Sequence, residues 1–388
     1  MAPTSLHSRV MRVGIVAYWF NRGQATVARH LRDIITAAGH KSFVFARPTR
    51  ATFALPPGEP TSHDVWDQDG VTFGRAHTPL PGEYVSWARS NRLDVVFFDQ
   101  NYEFDEIQTL RASGIKTIGR FVWESFASWH VEGARKAFST IYSLTLAEQS
   151  RYNEMGISSP YISWGCHPEL VSLGGTYSHE GPLVFIGGWL SARKPLGSVL
   201  QAYYSSGSSE TPLIIKSQRR LRRSDLLVPD SMDELQANRR PPHEELSHEY
   251  VRCKYGASVV DDDVPFDEYM SLLSQSRALI CPSRWEGLGL HFFEAMALGI
   301  PVISSSIQPI TELIDHGSNG LLVSGKNIGQ RKNGLAAVEP NIHELCDSIR
   351  LLDDEAFARE MSLNMRNMAR QRSWESTEAA FLNMLEDC

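Results

Sequence analysis

Ser276-Arg-Ala-Leu-Ile-Cys-Pro-Ser-Arg-Trp-Glu-Gly-Leu-Gly-Leu-His-Phe-Phe-Glu-Ala-Met-Ala-Leu-Gly-Ile-Pro-Val-Ile-Ser304 is the stretch from which the fold can be read. Ala278 to Cys281 is a short apolar run closed by Pro282-Ser283, as expected of a strand buried in a parallel sheet. Gly287 and Gly289 punctuate a turn. A helix is predicted over 291–298, with Gly299 suited to its C′ position and Pro301 unable to continue it. Pro301 to Ser304 then opens the next strand. The unit is strand, glycine loop, helix, strand.

The chemistry of this unit follows from its backbone. Glycines without a Cβ let the chain approach a bulky anion, and the N–H groups of Gly287, Leu288, Gly289 and Leu290 precede a helix whose dipole favours negative charge. Glu286 and Glu294 flank that seat. A carboxylate beside a bound diphosphate is repelled unless it accepts hydrogen bonds, and sugar hydroxyls are donors of the right kind. The pattern fits a ligand that is anionic in its middle and hydroxylated at both ends. The competing reading is two solvated glutamates on a helix surface.

With its flanking Pro282-Ser283 and Glu294-Ala-Met-Ala-Leu-Gly-Ile-Pro-Val302, the pair resembles the E-x7-E signature of retaining GT-B glycosyltransferases of family 4, the glycosyl transferases group 1. The resemblance implies an α/β GT-B fold, two Rossmann-like domains with parallel sheets facing a central cleft. It implies that Glu286 contacts the donor sugar's hydroxyls and Glu294 the ribose of a nucleotide diphosphate sugar. Lys194, at the mouth of a helix opened by Pro195, matches the family's diphosphate-binding Lys. The family's Arg five or six residues earlier is missing, for Trp189 and Gly188 stand there. Arg193 or Lys216 is expected to supply that charge, unless both are simply solvated.

Composition narrows the class. A chain of 388 residues is too long for one core, so two domains are expected, and 42% hydrophobic with 21% charged residues is ordinary for a globular protein. A net charge of -7 argues against a nucleic-acid partner held through phosphates. Five scattered cysteines without a C-x-x-C pair suggest reduced thiols. No run approaches membrane-spanning length, and residues 1–10 lack a signal-peptide core, so a cytoplasmic location is expected. Contact with a membrane surface stays open as a minor reading of the arginines in 217–223 and of Arg239-Arg240.

The first half opens with a strand over 11–17, a loop at 18–24 and a helix at 25–38. Gly23 is the loop's glycine, either close to the donor phosphate, as the resemblance implies, or a plain turn residue. Strands follow at 43–45, 95–98 and 117–122, as in a doubly wound sheet whose ligands sit beyond the strands' carboxyl ends. Two of those ends are polar. Gln100 and Asn101 follow one, and Trp123 and Glu124 follow the other, where the family often carries a His. All four are read as acceptor-binding candidates, with Glu124 the candidate for binding or deprotonating the acceptor hydroxyl. Glu124 reads equally as the cap of a helix expected over 125–138. A linker is expected at 165–182 and a polar loop at 324–340. Asp261-Asp-Asp263 is assigned to a turn, and no metal or other cofactor is expected. Glu312 is assigned a helix-terminal structural part.

The domains are placed at 1–168 (acceptor), 177–370 (donor) and 371–388, a last helix crossing back to the first domain. The expected activity is retaining transfer of a hexose from a UDP- or GDP-sugar to the hydroxyl of a sugar, lipid-linked or natural-product acceptor. Glu286, Lys194 and Glu124 carry the chemistry in that reading. The alternatives are a non-catalytic nucleotide-sugar-binding partner, or an epimerase or hydrolase on the same scaffold. Oligomeric state is not readable from the chain.

Overall fold

The computed structural model describes residues 9–20, 22–48, 69–208, 210–238 and 244–387. Arg239-Arg240 and Cys388 lie outside them. The chain divides into two compact units, Met1–Ser163 with Glu375–Cys388, and Trp164–Trp374.

Each unit is built on a six-stranded parallel sheet. In the first, the strands are β1 (Arg12–Ala17), β2 (Lys41–Ala46), β3 (Val71–Phe73), β4 (Val95–Asp99), β5 (Lys116–Arg120) and β6 (Thr140–Ile141). In the second they are β7 (Leu183–Gly188), β8 (Leu213–Ser217), β9 (Ala257–Val260), β10 (Ala278–Ile280), β11 (Val302–Ser305) and β12 (Gly320–Val323). The orders are β3-β2-β1-β4-β5-β6 and β12-β11-β10-β7-β8-β9. Counted from each unit's first strand, these are the same doubly wound order. The direction of winding therefore reverses between β1 and β4, and again between β7 and β10. Open α/β sheets bind ligands at such a switch, beyond the carboxyl ends of the strands.

The strands form where both faces can be buried. Val184, Phe185, Leu279, Ile280 and Ile303 are at 0% exposure, and with Leu196, Val199 and Leu200 they belong to the core of the second unit. The first unit's core is more aromatic: Tyr84, Phe98, Phe121, Phe126 and Tyr152 pack together. Edge-to-face pairs such as Tyr84–Phe98 and Phe126–Tyr152 add specific geometry to that burial. Phe381, from the helix Trp374–Glu386, lies edge-on to Tyr142, and Thr377 Oγ1 donates to the Ser163 carbonyl.

Several elements depart from the sequence expectation. The first helix runs Gly23–Ala37, so it begins two residues early and Gly23 is its first residue. The helix expected at 125–138 is a 3-10 turn, Ser128–His130, followed by Val131–Ala137. The aromatic ring of Phe126 is drawn into the core before the helix can begin, and Glu124 is therefore not its cap. The loop expected at 324–340 is an antiparallel hairpin of β13 (Gly325–Gln330) and β14 (Ala336–Pro340), with a bulge between Asn327 and Gly329. β13, Gly-Lys-Asn-Ile-Gly-Gln, is mostly polar or glycine, and β14, Ala-Ala-Val-Glu-Pro, is short and ends in proline, so the period-2 apolar alternation that usually marks a strand is missing from both. The stretch expected as a linker contains the short helix Pro168–Val171. Cys166, Cys253, Cys281 and Cys346 are free thiols. Among the described residues no helix is long and apolar enough to cross a membrane.

Candidate active site

The switch between β7 and β10 brings two loops together, 189–195 and 281–289. Both were singled out in the sequence. Their joint geometry was not.

The helix Leu290–Leu298 starts after Gly289, whose φ of 74° places it in the left-handed region. A Cβ there would lie 2.5 Å from Cδ2 of the Phe292 ring, so the turn is open to glycine alone. Phe292, Phe293, Ala295, Met296, Ala297 and Leu298 are buried, leaving Leu290, His291 and Glu294 partly open. The helix is held almost all round, and its polar residues share one side near its N-terminus.

Glu286 is 2% exposed and fully engaged. Its Oε1 accepts from the Arg193 guanidinium and from the Gly287 N–H at 3.0 Å. Its Oε2 accepts from Ser283 Oγ at 3.0 Å and from Lys194 Nζ at 3.5 Å. Lys194 Nζ also donates to Ser283 Oγ at 3.0 Å. Two cations thus close on one carboxylate, leaving an excess of positive charge beside a helix N-terminus. One detail corrects the sequence reading: the Gly287 amide, expected to face a ligand, is taken by Glu286. Among the described residues none accepts from the N–H of Leu288, Gly289 or Leu290.

Glu294 lies one turn along the helix, where its Oε2 accepts from the Tyr269 hydroxyl at 2.7 Å. Burial pushes its pKa up to about 7, partly opposed by that hydrogen bond. Burial and the neighbouring Glu294 also push the Tyr269 hydroxyl well above its ordinary value. His291 is driven well below the usual histidine range by burial and by the charges of Lys194 and Arg193, so its imidazole is neutral.

Arg284 holds the two loops in register. It is 2% exposed, donates to the carbonyls of Ala192 (2.7 Å) and Leu227 (3.3 Å), and pairs with Glu339 of β14. Glu339 in turn accepts from Ser198 Oγ at 2.5 Å. The hairpin therefore buttresses the loop that carries Arg193 and Lys194. Arg331, on the same hairpin, lies 4.9 Å over the Trp285 ring. From 30 residues away in sequence, Arg219 donates to the carbonyls of Trp189 and Leu190 and pairs with Asp225 at 2.7 Å. Sequence reasoning missed Arg284, Arg219, Tyr269 and His291 as parts of this site, since only the folded sheet brings their partners to them.

Other candidates are placed elsewhere. Lys216 does not join Glu286. Its Nζ donates to the carbonyls of Ser217 (2.8 Å) and Asp262 (2.6 Å), so it ties the end of β8 to the 261–263 segment. In that segment Asp261 pairs with His248 Nε2 at 2.8 Å, and Asp263 accepts from Gln218 at 2.9 Å. Within the arginine run Arg220 pairs with Glu245 at 3.2 Å and Arg223 with Glu244 at 3.1 Å, both at the surface. Gly23, in helical conformation, is not used for backbone freedom.

In the first unit, Asn101 is 0% exposed, and its side chain is spent on Tyr84 (2.9 Å) and on the Glu103 amide (3.0 Å). Gln100, with φ 50°, gives its Oε1 to the Val122 N–H at 2.7 Å. Both hold strand ends together, Asn101 with both ends of its amide and Gln100 through Oε1. Trp123 is 8% exposed, and Glu124 sits partly open in the turn after β5. Beneath them Arg120, 1% exposed, bridges Asp99 (3.2 Å) and Glu148 (3.4 Å). Burial raises both carboxyls, Arg120 opposes that, and removing the arginine would strand the acids. An arginine inside an apolar strand was the available signal.

Residues 263–372 match the family of glycosyl transferases group 1. The chain is similar to the lipopolysaccharide core biosynthesis mannosyltransferase LpsB of Rhizobium meliloti, with 31% identity over 101 residues. That match covers 25% of this chain and 29% of the relative. An uncharacterized glycosyltransferase of Methanocaldococcus jannaschii is likewise matched over only 28% of its length. Among solved structures, sucrose-phosphate synthase of Thermosynechococcus elongatus superposes with a TM-score of 0.71 at 15% identity, over 97% of this chain and 98% of that one. Anabaena HepE, in complex with UDP and glucose, gives 0.69 at 13%, over 97% and 100%. The fold is GT-B. The match over 263–372 takes in the glycine loop, the helix Leu290–Leu298 and both signature glutamates.

Proposed function

We propose that this protein is a retaining glycosyltransferase that moves a hexose from a nucleotide diphosphate sugar, UDP- or GDP-linked, to an acceptor hydroxyl. The observation that carries the reading is Glu286 held between Arg193 and Lys194 at the head of the Leu290–Leu298 helix. Two cations, a helix dipole and the amides of Leu288, Gly289 and Leu290 converge where a diphosphate would rest. HepE's complex with UDP and glucose, and the mannosyltransferase LpsB, support a nucleotide-linked hexose as donor.

In this reading the diphosphate displaces Glu286 from the cations, and the freed carboxylate accepts hydrogen bonds from the sugar hydroxyls. Glu294, backed by Tyr269, accepts from the ribose. As the bond from the anomeric carbon to the diphosphate oxygen breaks, Lys194 and Arg193 take the developing charge. Preorganised donors in a water-poor site are a large part of the catalysis expected for such chemistry. The acceptor oxygen bonds to the anomeric carbon on the face the diphosphate leaves, and its proton passes to a diphosphate oxygen, giving retention without a protein nucleophile. Fixed cations stabilise the leaving group here, so we propose that no metal is required. We assign the acceptor to the first unit, with Glu124 as the carboxylate that binds its hydroxyl, and we propose a cytoplasmic setting.

Thermal denaturation with UDP-glucose, GDP-mannose and related donors tests the assignment. A donor at a hundred times its dissociation constant adds about 2.7 kcal/mol of stability. No stabilisation by any nucleotide sugar would defeat the proposal. Stabilisation without transfer across an acceptor panel would leave a binding partner, and free sugar or isomer without acceptor would make it a hydrolase or epimerase.

A further inference from the structure

His291 is the one polar side chain of the 290–298 helix's first turn. It is the second residue of that nine-residue helix. Helical side chains lean toward the N-terminus, which directs its ring toward the 287–290 turn, and the ring lies against Phe292 with centroids 4.2 Å apart. Its Nε2 is shut away from solvent and, among the described residues, meets no hydrogen-bonding partner. A sealed polar nitrogen without a partner is a cost the fold carries, and an apolar residue of similar size would avoid it.

The surroundings suggest what the cost is for. Arg193 and Lys194 both act on the ring, and their charges oppose its protonation. Glu286, the carboxylate between those two cations, has all its acceptance taken by Arg193, Lys194, Ser283 and the Gly287 amide. Glu294, three residues on along the same side of the helix, is turned to Tyr269. The imidazole is therefore a neutral group with an open valence in a field that attracts anions. A phosphoryl oxygen is the acceptor that fits such a position, and the tautomer carrying its proton on Nε2 can donate to it.

We propose that His291 reads the diphosphate of the donor: its Nε2–H donates to a phosphoryl oxygen, and preference for nucleoside diphosphate over monophosphate depends on that bond. The inference rests on the donor-site reading above and adds a specificity-determining residue to it. Leu288, Gly289 and Leu290 amides hold whichever phosphate lies nearest the helix. His291, standing to one side of them, adds a contact that a second phosphate completes.

Calorimetric titration of the full-length protein with UDP and UMP, and with GDP and GMP, tests this in wild type, His291→Leu and His291→Gln. Leucine fills the space without a donor, whereas glutamine carries an N–H at a comparable reach. The diphosphate-to-monophosphate affinity ratio is expected to fall about tenfold or more in His291→Leu and to be largely restored in His291→Gln. The thermal midpoint of the unliganded Leu variant is expected to hold or rise. An unchanged ratio in His291→Leu, with the diphosphate still bound, overturns this proposal and leaves the donor-site reading standing. An equal loss for both ligands together with a lowered midpoint makes His291 a packing residue and also overturns it. A wild-type protein that binds neither UDP nor GDP overturns both.

Discussion

Glu286 and Glu294 look alike in the sequence and differ in the fold. Glu286 is clamped by two cations, whereas Glu294 faces a single tyrosine hydroxyl and is pushed up to about 7 by burial. Exchanging Glu286 for glutamine keeps the shape, removes the charge and leaves Lys194 buried without its acid. We expect Glu286→Gln to remain folded by circular dichroism and to lose turnover by about 10²–10³-fold, read from kcat/KM. Glu294 predicts a pH dependence. Its folded pKa lies above the ordinary 4.5, so the folded chain binds the extra proton and this group favours unfolding as pH rises from about 4.5 to 7. Hydroxyl donors on a ligand favour the ionised form instead. Nucleotide affinity should therefore tighten from pH 6 to pH 8, and Glu294→Gln should remove that part of the slope in titrations at each pH. Both acids were legible as a pair with carbohydrate-binding chemistry. Their separate electrostatics were not, because Arg193 and Tyr269 reach them only through the fold.

At the scale of elements, the strand, glycine loop and helix around 276–304 stand where the sequence put them, since apolar runs, glycines and Pro301 are local signals. Gly289 carries the sharpest demand. Its left-handed backbone alone costs a substituted residue about 1–2 kcal/mol, and the added Cβ would meet the buried Phe292 ring. Gly289→Ala is expected to lower stability in urea by at least that much and to weaken donor binding, because the turn and the helix start move together. A Gly289→Ala protein with unchanged midpoint and affinity would show that the turn tolerates a side chain. The β13–β14 hairpin was missed for the opposite reason. Its strands lack apolar alternation and are held by contacts between residues distant in sequence, Glu339 to Arg284 and the Val338 amide to the Arg284 carbonyl at 2.9 Å.

For the whole molecule, the end of the chain matters to its beginning. Phe381 (1% exposed), Met384 (7%) and Leu385 (1%) are buried, and residues 375–388 group with the first unit. Each such side chain contributes about 1.5–3 kcal/mol when fully buried, against a total of about 5–15 kcal/mol for a typical domain. Ending the chain at Trp374 should therefore destabilise the first unit severely, seen as early unfolding or aggregation in a melt, and a truncated protein with an intact transition would refute this. The sequence by itself determined the two α/β halves, the glycine loop and the acidic pair, because strand and helix periods and turn residues act over a few neighbouring positions. Only the tertiary structure decided which charges meet. Arg193 and Lys194 stand 93 and 92 residues from Glu286, and they reach it because the winding order sets β7 beside β10. Asn101 went the other way: polar and well placed in the chain, its buried amide is used on Tyr84 and on the Glu103 N–H, since buried polar groups must find partners wherever the packing offers them.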